Sequence, residues 1–107
     1  MAHKWIVVSL LFGSLAILQA QTEPTYRPSA GYVPDAETAV KIGEAVLIPV
    51  YGEKQVLSER PFAARLQDNA WTVTGTLHCG APQCRGGTAV VKISKQSGEI
   101  LQMMHYK

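Results

Sequence analysis

The chain has 107 residues, and its ten Lys and Arg stand against eight Asp and Glu, a formal charge of only +2. So small an imbalance gives no strong field for nucleic acid, and no cluster of bases interleaved with aromatics accompanies it. The length allows one hydrophobic core rather than two, and a modest one.

The N-terminal residues differ from the rest. Residues 1–4 are short and carry Lys4, residues 5–18 contain no charged side chain, and Gln19-Ala20 precedes a polar stretch. This is the n-region, apolar h-region and small-residue cut site of a secretory signal. The apolar run falls short of the roughly 20 residues that cross a bilayer core. We therefore expect residues 1–20 to be a cleaved signal peptide and the mature chain to be periplasmic, without stable membrane insertion. An uncleaved anchor and a buried N-terminal helix are the alternatives. No cysteine stands at the cut to take a lipid.

Residues 21–34 hold Pro24, Pro28, Gly31 and Pro34 and read as an extended lead-in. Tyr26 and Tyr32 are its candidates for packing onto the domain. Residues 35–51 carry the helical signal: Ala39, Ile42, Gly43, Val46 and Val50 recur at helical steps, widened by Val40 and Leu47. Either Asp35 caps this helix or Pro34 occupies its first position. Gly43 has no side chain and would let a strand approach closely. Pro49 should kink or end the helix, and Gly52 should close it.

The remainder reads as strands. Phe62, Ala64 and Leu66 alternate, Asp68-Asn69 signals a turn, and Trp71, Val73, Gly75 and Leu77 alternate after it. Ala89, Val91 and Ile93 repeat the pattern before a turn over residues 95–98. The last strand has two possible inward sets: Ile100, Gln102, Met104 and Tyr106, or Leu101, Met103 and His105. Residues 35–107 thus read as a single α+β domain, one N-terminal helix packed on a four-stranded antiparallel sheet.

Candidate chemistry is sparse. Cys79 and Cys84 flank a short Gly- and Pro-bearing segment, and in an exported chain they suggest a disulfide. Zinc held by His78, Cys79, Cys84 and His105 is the alternative. Asp35 and Glu37 suit a helix start, while Glu44 and Glu53 read as solvated carboxylates. Ser58, Ser94 and Ser97 lack a nucleophile-elbow context. His105 reads as a surface or edge residue and Trp71 as a core anchor. We assign no catalytic residue, no cofactor and no metal.

Three segments carry a resemblance: GYVPDAETAVKIGEAVLIPVYG, PFAARLQDNAWTVTGTL and GGTAVVKISKQSGEILQMMHYK. Together they resemble the small bacterial immunity proteins with a nuclear-transport-factor-2-like fold. The resemblance implies a reduced, cystatin-like version of that fold and a non-enzymatic role. It implies a cognate effector toxin as partner, with a cell-envelope target if the chain is periplasmic. On this reading His78, Gln83 and Arg85, beside the cysteines, are candidate toxin contacts. A small envelope inhibitor or cell-wall-binding module is the alternative, and a minor hydrolase a weaker one. Oligomeric state is not legible.

Overall fold

The structure is a computed structural model that describes residues 24–79 and 86–107. Residues 1–20, expected to be a signal peptide, lie outside the described residues.

Helix α1 spans Ala36–Tyr51. Asp35 is its N-cap: the backbone is extended there, and the side-chain oxygen accepts a 2.8 Å hydrogen bond from the Thr38 amide. That bond satisfies an amide the helix leaves orphaned and holds the Asp35 carboxyl below its ordinary pKa. Pro49 does not end the helix. It lacks an amide hydrogen, yet the helix runs on until Gly52, whose φ of 94° turns the chain and whose N–H donates to the Ile48 carbonyl at 2.8 Å. A short second helix, α2 (Glu53–Ser58), follows and seats Val56 fully in the core. The sequence reading missed it, because six residues are too few to show a helical period.

Four strands follow: β1 (Ala63–Gln67), β2 (Ala70–Thr74), β3 (Ala89–Ser94) and β4 (Ile100–His105). They form an antiparallel meander in the order β1-β2-β3-β4. Asp68 and Asn69 make the first turn with φ of 50° and 63°, the left-handed conformation that a two-residue hairpin loop requires. Partners across an antiparallel ladder share a face. Ala64, Val73, Val91 and Met103 therefore form one inward row, and Leu66, Trp71, Ile93 and Ile100 another.

β4 follows neither expected set. Ile93 pairs with Ile100 but Lys92 pairs with Gln102, so Leu101 is an extra residue in a β-bulge. The bulge switches the alternation. Ile100 faces the core from the first set, and Met103 and His105 face it from the second.

The core lies between α1 and the sheet, with Leu47, Val33, Val56, Val73, Val91 and Ile93 fully buried. Gly43 permits the approach expected of it: a Cβ there would stand 2.9 Å from a Val73 methyl and 3.1 Å from a Val91 methyl. The lead-in docks through its backbone. The Tyr32 and Val33 amides donate to the Gln96 and Lys95 carbonyls, and Trp71 Nε1 donates to the Val33 carbonyl at 2.8 Å. Trp71 is thus the core anchor the sequence suggested. Tyr26 and Tyr32 are not packed down: they remain exposed, and Tyr32 instead bonds the Tyr26 carbonyl. Val33 fills the core in their place, because Gly31 turns the chain hard against the Lys95 carbonyl.

Candidate functional site

Polar side chains converge where α2 meets the C-terminal end of β4. Glu59 caps α2, and its side chain is only 6% exposed. A carboxylate taken out of water needs several partners. Oε1 accepts the Ala89 amide at 2.7 Å, while Oε2 accepts Gln55 Nε2 at 2.7 Å and His105 Nε2 at 2.8 Å. Burial alone would raise the Glu59 pKa. The bonds from Gln55, Ala89 and His105 outweigh it and hold the carboxyl below its ordinary value.

The His105 ring is fixed from both sides. Its Nε2 meets the Glu59 carboxylate, and its Nδ1 lies 2.8 Å from the Tyr106 carbonyl. Two acceptors on two ring nitrogens favour the doubly protonated ring. The bond to Glu59 is the main cause, and the pKa is raised above 6.5 despite partial burial. Tyr51 tilts over the ring at a centroid distance of 5.4 Å. Tyr51, Gln55, His105 and Lys107 line an open concavity beside the pair. His105 lies on edge strand β4, as expected of it, but is partly buried and bonded there, and Glu59 went unnoticed in the sequence. Its chemical role is a lock: it joins α2, the start of β3 and the end of β4 by charge-assisted bonds.

A second polar tie joins α1 to the segment after α2. Arg60 grips Glu44 with both carboxylate oxygens, at 3.0 and 2.8 Å. Glu44 was expected to be solvated, but its side chain is only 14% exposed. The Arg60 carbonyl meets His78 Nε2, and the Thr76 hydroxyl donates to the Pro61 carbonyl at 2.6 Å.

Of the candidate toxin contacts, His78 is exposed but held by Arg60, whereas Gln83 and Arg85 lie outside the described residues. The expected Cys79–Cys84 disulfide is not shown by the described residues. No Sγ–Sγ pair is present among them, since Cys84 and the loop before it fall outside. The zinc alternative gains nothing. Among the described residues no group of three or more His, Cys, Asp or Glu is placed to hold a metal. His78 and His105 are each bonded to another partner. Also among the described residues, no helix is long and apolar enough to cross a membrane.

The sheet face turned away from α1 is the other surface of interest. Arg65, Thr72, Lys92 and Gln102 form one row across it.

Comparison with known proteins bears on what such a surface is for. Residues 38–107 match the family model described as NTF2 fold immunity protein. The chain is also similar to the protein YhhH of Escherichia coli K12, at 30% identity over 69 residues. That match covers 64% of this chain and 53% of YhhH, so the chain spans about half the length of that relative. No solved structure matches.

Proposed function

Since the chain belongs to the NTF2 fold immunity protein family, we propose that it binds a cognate antibacterial toxin and blocks its active site in the periplasm. The observation that carries this reading is the extent of the family match. It takes in nearly all of α1, all of α2 and the whole sheet, which is the entire helix-on-sheet unit. An immunity protein works by binding, and the role is non-enzymatic. The periplasmic part rests on the charged start, apolar run and Ala20 cut site of the first twenty residues. A target in the cell envelope fits that compartment.

Protection provides the test. A strain lacking this chain is exposed to the product of the gene adjacent to its own, taken as the candidate toxin, and the full chain or one lacking residues 1–20 is returned. Survival with the full chain alone is the expected result. Equal rescue by both forms would overturn the periplasmic placement, and no rescue by either would overturn the immunity role.

A further inference from the structure

The β4 bulge does more than reverse the inward set. Leu101 has no partner of its own on β3, and it shares the open face with its neighbour Gln102. It is 50% exposed and shares a shallow concavity on the open face with Lys92, Thr72 and Ala70. An exposed apolar side chain is thus set next to a cation on the open face, with Gln102 beside it. Bulges characteristically re-aim side chains in this way.

Arg65 lies in the same row as Lys92, about 10 Å away across two strand spacings. Both are exposed, and neither forms an ion pair among the described residues, whereas Lys41 and Arg60 do. Asp68, at the β1–β2 turn, borders the concavity without neutralising either cation.

We infer that Leu101, with Lys92 beside it and Arg65 farther along the same face, is the docking patch for an acidic surface on the toxin. The inference rests on the immunity reading and adds a location and a partner chemistry to it. The two cations, which form no ion pair among the described residues, call for carboxylates opposite them, and Leu101 supplies an apolar anchor at the β4 end of their row. A second copy of the chain is a poor occupant, since it would bring cation against cation. Nucleic acid is a poor one too. The row Arg65–Thr72–Lys92–Gln102 and the adjoining Leu101 offer no aromatic ring on which a base could stack.

The probe is the purified product of the gene adjacent to this chain's own, taken as the candidate toxin and titrated against the mature chain at low and moderate salt. The R65E/K92E variant should bind roughly 100-fold more weakly, with its salt dependence flattened. Leu101→Ala should bind about tenfold more weakly, chiefly through faster dissociation. Circular dichroism and a thermal melt check that each variant is folded, and R65Q/K92Q serves if the charge reversal is not. A folded variant with unchanged affinity and salt dependence overturns the patch while leaving the immunity role standing. Absence of binding by the parent chain overturns both. Binding of a short single-stranded oligonucleotide through Arg65 and Lys92, with toxin binding unaffected, would also overturn the patch.

Discussion

At the scale of single residues, the Glu59–His105 pair governs the response to pH. The Glu59 pKa lies below 4.5, so its contribution is present above pH 4.5 and is lost as the pH falls through the folded value. The His105 pKa lies above 6.5, so its contribution is present below pH 6.5 and is lost as the pH rises through the folded value. Both are fully present between those limits. Stability of the mature chain should therefore peak in mildly acidic solution, with Asp35 adding to the acid limb. Urea denaturation at several pH values checks this. His105→Asn should remove the alkaline decline and cost roughly 1–2 kcal/mol at pH 6. Glu59→Ala should cost more, about 3 kcal/mol, because it strands the Ala89 amide and the Gln55 amide group together. None of this was legible in the sequence. Glu59 and His105 are 46 residues apart, and a carboxylate shows its burial only once three segments have met around it.

At the scale of elements, much more was legible. The apolar stripe of α1 and the alternation in β1 to β3 are periodic signals, and each became the face expected of it. Three residues are exceptions: Val50, at the end of the α1 stripe, is 59% exposed; Leu77 lies past the end of β2 and is 46% exposed; and Leu66 pairs with Trp71 on the inward side, yet edge strand β1 leaves it 45% exposed. β4 was not legible, because its bulge is a backbone event. One inserted residue moves Met103 and His105 to the core side without any change in composition that would announce it. Helix and sheet are matched most closely at Gly43. A Gly→Ala change in a helix ordinarily gains about 1 kcal/mol. Here the new methyl would press on two short, branched side chains, Val73 and Val91, that have no room to yield. Overpacking of this kind costs roughly 1–3 kcal/mol. Gly43→Ala should accordingly be destabilising by about 1 kcal/mol, read as a lower denaturation midpoint, whereas the same change at an exposed helix position would raise it.

At the scale of the whole molecule, the chain joins a short lead-in, one helical layer and one sheet around a single core. The lead-in contributes to that core through Val33 and not through its tyrosines. Its attachment has an optical consequence. The sequence has two tryptophans, and Trp5 falls in the segment proposed to be removed on export. The processed protein would then carry one tryptophan, Trp71, excited selectively over the tyrosines at long wavelength; it is 8% exposed and bonded to the lead-in backbone at Val33. Its fluorescence would come from the place where the N-terminal segment closes over the sheet. Undocking of that segment alone should shift the emission to longer wavelength while the far-ultraviolet signal of helix and strands stays constant. Release of the lead-in and global unfolding could thus be followed separately in one cuvette, without a label.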